Sequence, residues 1–172
     1  VPLLGENRVI VDKGLKILHN PKRIGIRAVM EVAGVLDKPL SASTIAFSIA
    51  PRLNAAGRLG SAATAVELLL TNDESRAREL ALLLDTENKE RQQTERQIFD
   101  EALELIAKDP NFEKKKVIVL AQENWHQGVI GIVASRLCDM YYKPCILISH
   151  TNGVGKGSGR SIKGFNLFDA LT

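Results

Sequence analysis

From Thr71 to Asp109 the chain contains neither proline nor glycine, so nothing in it stops a helix before Asp109-Pro110. One helix of that length would span roughly 55 Å at about 1.5 Å per residue, wider than an ordinary small domain. Thr71-Asn72-Asp73-Glu74 has the spacing of a capping box, which predicts that Thr71 caps the helix. Apolar stripes lie at Leu80 to Leu84 and Ile98 to Ile106, but Glu87 to Gln97 between them contains no apolar residue. A helix polar all round bridges two domains. Glu87 with Arg91, and Arg91 with Glu95, stand one turn apart and would support exposed turns by about a few tenths of a kcal/mol each. A coiled-coil arm is the plainer alternative, but no apolar heptad is sustained.

The sequence differs on the two sides of this stretch. Before it, Glu6 to Leu18, Ile24 to Val32, Ala42 to Ala50 and Ala62 to Leu70 show helical spacing, with Asn20-Pro21, Gly34, Lys38-Pro39 and Pro51 as joints. After it, Val117 to Ala121 and Cys145 to Ser149 are short apolar runs suited to buried parallel strands, and Val129 to Tyr142 has helical periodicity. That is a βαβ unit, whose loop Gln122 to Gln127 falls at the carboxyl end of the first strand, where α/β sheets bind ligands. The class is therefore α/β, with residues 1–72 helical, 73–109 a connecting helix and 110–172 an α/β region.

With 172 residues, 45% apolar and 25% charged, the chain can bury a sizeable core. A net charge of +3 leaves any nucleic-acid binding to local patches. Cys138 and Cys145 lack metal spacing and read as buried free thiols. No apolar run reaches membrane-spanning length and no signal peptide is legible, so the expected location is cytoplasmic. The opening Val1-Pro2-Leu3-Leu4 without methionine, and a stop at Thr172 inside a helix-like run, read as a piece of a longer protein.

Three segments carry chemistry. Gly153 to Ser161 alternates glycine with Lys156, Ser158 and Arg160 and reads as an anion cradle or, more plainly, a hairpin turn. Walker A is excluded, because His150 stands where the first glycine should be and Gly157 follows Gly155-Lys156. Glu123 to Gly128 places His126 and Trp125 just before a helix whose first turn offers N–H groups to an anion. His126 reads equally as a loop or capping residue, and Trp125 better as core than as a stacking platform. Pro51 to Arg58 reads as a small-residue loop presenting Arg52, Asn54 and Arg58; arginine forks suit phosphate, although solvated surface arginines are the simpler reading. His19, His126 and His150 have no metal-ligand spacing, and no catalytic constellation is visible.

Taken together, V-P-L-L-G-E-N-R from Val1, I-A-P-R-L-N-A-A-G-R-L-G-S-A from Ile49, W-H-Q-G-V-I-G-I-V-A-S-R-L from Trp125 and G-K-G-S-G-R-S from Gly155 resemble the RecJ exonuclease family of the DHH phosphoesterase superfamily. The resemblance runs end to end. It implies the helical end of a DHH domain (1–72), a long interdomain helix (73–109) and the beginning of a DHH-associated domain (110–172). It further implies a parent that degrades single-stranded DNA 5′→3′ in repair and recombination with two Mn²⁺ or Mg²⁺ ions, whose ligands lie upstream of Val1, so that this chain alone would be inactive. Arg52, Asn54 and Arg58 would then sit near the interdomain cleft as nucleic-acid-binding residues. His126 would lie close to the scissile phosphate, and Lys156, Gly157, Ser158, Gly159, Arg160 and Ser161 would hold phosphates. A helicase or single-strand-binding protein would be a plausible partner. The rivals are a DHH-family phosphoesterase of short oligonucleotides or cyclic dinucleotides, and a non-catalytic nucleic-acid-binding module.

Overall fold

The computed structural model describes residues 2–172; Val1, the first residue of the V-P-L-L motif, lies outside the described residues. The chain divides into two compact units, one ending at Glu90 and the other running from Arg91 to Thr172. The boundary falls inside the long helix rather than at its ends.

The first unit is helical: α1 (Gly5–Leu18), α2 (Ile24–Val32), α3 (Ala42–Thr44), α4 (Ala50–Leu59), α5 (Ala63–Leu70) and the first half of α6 (Glu74–Ala107). Its core gathers Val29, Met30, Leu68, Leu80 and Leu84. Gly25 of α2 lies so close to α5 that a Cβ there would stand 1.7 Å from the Leu68 carbonyl oxygen. Only glycine fits that crossing.

Two expectations are corrected in this unit. Residues 50–59 form a helix, not a loop. Pro51 occupies its first turn, where a missing N–H costs nothing, and the preceding π-helical turn Ile45–Ile49 carries the chain from α3 into α4 without a break. The cap of α6 is Asp73 rather than Thr71: Asp73 Oδ1 accepts from the Arg76 N–H at 2.9 Å, and Thr71 Oγ1 accepts from the Asp73 N–H at 3.2 Å. Asp73 adjoins the first helical residue, so its carboxylate reaches the third N–H of the helix, whereas Thr71 stands two residues further back.

The polar middle of α6 carries the chain from one unit into the other and is mostly exposed, at Lys89, Glu90, Gln92, Gln93, Arg96 and Gln97, but part of it and the turn before it are covered. Asp85 is 7% and Asn88 3% exposed, and the Arg91–Glu95 pair, 2.6 Å apart, is largely covered. A polar run can be buried where it is hydrogen-bonded, as Asp85 is by Arg52 at 2.8 Å.

In the second unit Ile98, Phe99, Ala102 and Ile106 of α6 are buried, and Phe99 is covered by the Arg136 guanidinium 3.8 Å from its ring centre. β1 (Ile118–Glu123) pairs in parallel with β2 (Cys145–Thr151), the two joined through α7 (Ile130–Tyr141), which is the expected βαβ unit. A third strand, β3 (Val154–Arg160), pairs antiparallel with β2, giving the order β1-β2-β3. α7 packs on one face. The other presents Val119, Ile146 and Ile148 beside Gly155, Gly157 and Gly159, with Val119 56% exposed, so the strands are not buried on both sides as their apolar runs suggest.

Candidate nucleic-acid interface

The glycine-rich segment is a strand, and that changes what it can do. Asn152 (φ 52°) and Gly153 (φ 78°) form the tight turn joining β2 to β3, both residues in the left-handed region that such hairpins require. Pairing with β2 holds residues 154–160 extended, so successive N–H groups point to opposite sides and the predicted backbone cradle does not form. Side chains alternate instead. Lys156, Ser158 and Arg160 register opposite Ser149, Leu147 and Cys145 on the α7 face, whereas Gly155, Gly157 and Gly159 lie on the other.

The glycines serve that other face by admitting side chains close to the backbone. A Cβ at Gly159 would stand 2.6 Å from Leu167 Cδ2, and one at Gly155 3.4 Å from Ile148 Cγ2. On the α7 face, Ser158 and Arg160 reach over the second residue of the helix: a Cβ on Gly131 would stand 2.7 Å from Ser158 Oγ and 3.0 Å from Arg160 Nη2. Arg160 Nη1 donates to the Gly159 carbonyl (2.7 Å) and to Ser158 Oγ (3.3 Å), which fixes the guanidinium along the strand. Among the described residues no carboxylate pairs with Lys156 or Arg160. A row of two cations and a hydroxyl, partly over the positive end of a helix, is an anion-attracting surface. Ser161, the last of the predicted row, donates to the Phe165 carbonyl at 2.7 Å and closes the turn after β3.

His126 lies at the same end of α7. Its Nδ1 accepts from the Gly128 N–H (3.1 Å), and its carbonyl accepts from Val129 (2.9 Å) and Ile130 (3.1 Å). The N–H groups of Gly128, Val129 and Ile130 are thus taken by His126 itself, and with Nδ1 accepting, Nε2 is the nitrogen left to donate. Trp125 is 4% exposed, and its Nε1 donates to Glu101 Oε2 at 2.7 Å, so it is core, as its residue type favours.

In the first unit Arg52 is turned inward. Its Nε donates to Asp85 Oδ1 at 2.8 Å and its Nη1 to the Ser48 carbonyl, with 17% of the side chain exposed. Burial pushes the Asp85 carboxyl up, but Lys89 and Arg52 outweigh it and leave the group below its ordinary range. Asn54 and Arg58, further along α4, are exposed. Nearby, Glu87 Oε2 is buried without a hydrogen-bond partner, and burial, then Glu90, raises that carboxyl. Cys138 and Cys145 are buried, the latter's thiol pushed up to about 12 by burial and then by Cys138, so it is not a thiolate nucleophile. Among the described residues no group of three or more His, Cys, Asp or Glu could hold a metal ion, and no helix is long and apolar enough to cross a membrane.

The DHHA1 domain family matches residues 114–172. Over the whole chain the single-stranded-DNA-specific exonuclease RecJ of Bacillus subtilis is 42% identical, and over 99% of it that of Escherichia coli is 39% identical. The chain spans 22% and 30% of the length of these two proteins. The crystal structure of RecJ from Thermus thermophilus in complex with Mg²⁺ is 37% identical and superposes with a TM-score of 0.86 over 99% of this chain and 26% of its own. A structure of exonuclease RecJ bound to manganese, also 37% identical, gives 0.82 over 99% of this chain and 41% of its own. With matched sequence and matched fold along its length, this chain is similar to one segment of the RecJ single-stranded-DNA-specific exonucleases, a segment that includes DHHA1 sequence.

Proposed function

We propose that this chain is the strand-holding segment of a divalent-metal-dependent 5′→3′ single-stranded-DNA exonuclease. The observation that carries the reading is the row Lys156, Ser158 and Arg160, placed at the amino end of α7 with no carboxylate against it. Such a row grips backbone phosphates and reads no base, which suits an enzyme indifferent to sequence. Gly157 and Gly159 let Ile146, Ile148 and Leu167 pack close against the opposite face of β3, and Ser161 sets the turn that ends it. The Nε2 edge of His126 would donate to a phosphate oxygen beside the scissile bond.

On α4, Asn54 and Arg58 are proposed to touch the strand, with Arg52 held inward to fix the helix that presents them. The polarity and the repair role rest on family resemblance alone, as does any helicase or single-strand-binding partner, and a cytoplasmic location stays the expectation read from the sequence. The described residues do not fit a two-metal centre, which needs carboxylates converging on ions about 3.5–4 Å apart. Hydrolysis is therefore assigned to parts of the parent beyond this segment, and the 172-residue chain is expected to bind single strands without cutting them.

The test compares the parent protein with its Arg160→Ala variant on a long single strand in Mn²⁺. The reading expects slower degradation through a raised KM; degradation at the wild-type rate and KM would refute it. Loss of activity on a long strand with activity retained on dinucleotides would still support it, whereas a parent that acts on dinucleotides alone would favour the short-oligonucleotide phosphoesterase.

A further inference from the structure

A hollow of about 480 Å³ opens at the other end of α7, where β1 and β2 begin. It is lined by Val117, Tyr141, Tyr142, Pro144, Ile162 and Phe165, and three lysines, Lys115, Lys116 and Lys143, share its rim with Glu113. None of these residues belongs to the phosphate row. The volume falls in the range that takes a small organic ligand.

Part of the lining is structural. Tyr141 meets Phe112 edge-on at 4.9 Å, and Lys143 donates to the Phe112 carbonyl (3.1 Å) and lies 4.4 Å over its ring. Lys115 is paired with Asp109 at 2.6 Å. Tyr142 is different. It ends α7 at φ 49°, a left-handed position that glycine or asparagine usually fills, yet the residue is 67% exposed. A bulky residue there costs about 1–2 kcal/mol of backbone strain, and packing does not repay a ring so open to water. Phe165, across the hollow, is 40% exposed, and Lys116 is exposed beside them. Exposed aromatic faces among lysines are what a single-stranded nucleic acid engages: a base stacks and its phosphates meet the cations.

We infer that this hollow is a second contact for single-stranded DNA, in which a base stacks on Tyr142 and Phe165 while Lys116 holds an adjoining phosphate. The inference rests on the single-strand reading above and adds a station about 15 Å along α7 from Gly131, the distance from residue 131 to residue 141 in a helix. A dinucleotide at the phosphate row cannot reach it; a longer strand can.

The experiment uses the 172-residue chain and a labelled oligothymidylate of about 15 nucleotides. Tyr142→Asn removes the ring but suits the left-handed backbone, so it should melt no lower than wild type while binding about tenfold more weakly, one stacked base being worth roughly 1–3 kcal/mol. Tyr142→Phe should bind as wild type, Lys116→Gln should bind more weakly, and 5-iodouracil in the oligonucleotide should photocrosslink to Tyr142 or Phe165. Wild-type affinity in Tyr142→Asn with crosslinks elsewhere would overturn the inference. If Arg160→Ala still weakens binding in that case, the proposed function stands without this station. No binding by the wild-type chain would overturn both. An acidic aromatic peptide whose binding depends on Tyr142, beside an oligonucleotide whose binding does not, would reassign the hollow to a protein partner and overturn it as well.

Discussion

Arg52 and Arg160 have the same chemistry, and the segments that carry them both read as phosphate-gripping, yet the two units use them in opposite ways. Arg52 points into its unit, spending Nε on Asp85 and Nη1 on the Ser48 carbonyl. Arg160 lies along an edge strand with no carboxylate against it, beside the amino end of a helix. Arg52 is thereby committed to the fold, whereas Arg160 is left without an acidic partner, as the phosphate role proposed for it requires. α4 turns Arg52 toward α6, whereas β3 turns Arg160 away from the glycine face.

That contrast can be broken most severely at Arg52. Arg52→Ala should cost about 2 kcal/mol, because Asp85 loses a charge-assisted hydrogen bond while keeping Lys89 at 2.8 Å, and Arg52→Lys should recover little, since a lysine cannot serve both acceptors; chemical denaturation measures both. Arg160→Ala should leave the melting curve in place and weaken oligonucleotide binding about tenfold, a charge-assisted contact being worth roughly 1.5 kcal/mol. Should Arg160→Ala destabilise the fold or Arg52→Ala spare it, the contrast fails.

Gly131→Ala sharpens the second half of the comparison. The added methyl must displace Ser158 Oγ and Arg160 Nη2, so binding should fall by a few-fold with a smaller change in stability. Unchanged binding would place the phosphates elsewhere.

Acid titration separates two carboxylates of the first unit. Asp85 has a lowered carboxyl, so the stability it contributes is present at neutral pH and above its unfolded value, and is lost as pH falls through its lowered folded value. Arg52→Ala should blunt that acid-induced loss, as followed by thermal melts at stepped pH. Glu87 has the opposite sign: its raised carboxyl favours the fold at low pH, and that contribution is lost as pH rises through the folded value. Glu87→Gln should therefore stabilise the chain at neutral pH by about 1 kcal/mol or less, the scale of an unsatisfied polar group.

Much of this architecture was legible. The absence of breakers from 71 to 109 marked α6, and the apolar runs at 117–121 and 145–149 marked β1 and β2, because hydrophobic periodicity reports burial directly. β3 escaped because its glycines have poor strand propensity and its extension is imposed by pairing with β2. The missed signal was Asn152-Gly153, the strongest short hairpin dipeptide. α4 escaped because Pro51 reads as a break when it follows a helix, and a π turn ahead of it removes the conflict. At the site, the residue types in the phosphate row were legible, but which face each side chain takes was not, since that follows from β3 being a strand. The inward turn of Arg52 depends on Asp85, distant in sequence, and no local pattern encodes it.

The central claim is that Lys156 and Arg160 hold phosphates of a single strand. Its most direct test is the salt dependence of oligothymidylate binding by the 172-residue chain and by Lys156→Ala/Arg160→Ala. The account predicts that the slope of log affinity against log salt falls by about 0.7 for each phosphate contact removed, roughly 1.4 in all. An unchanged slope and affinity would contradict it.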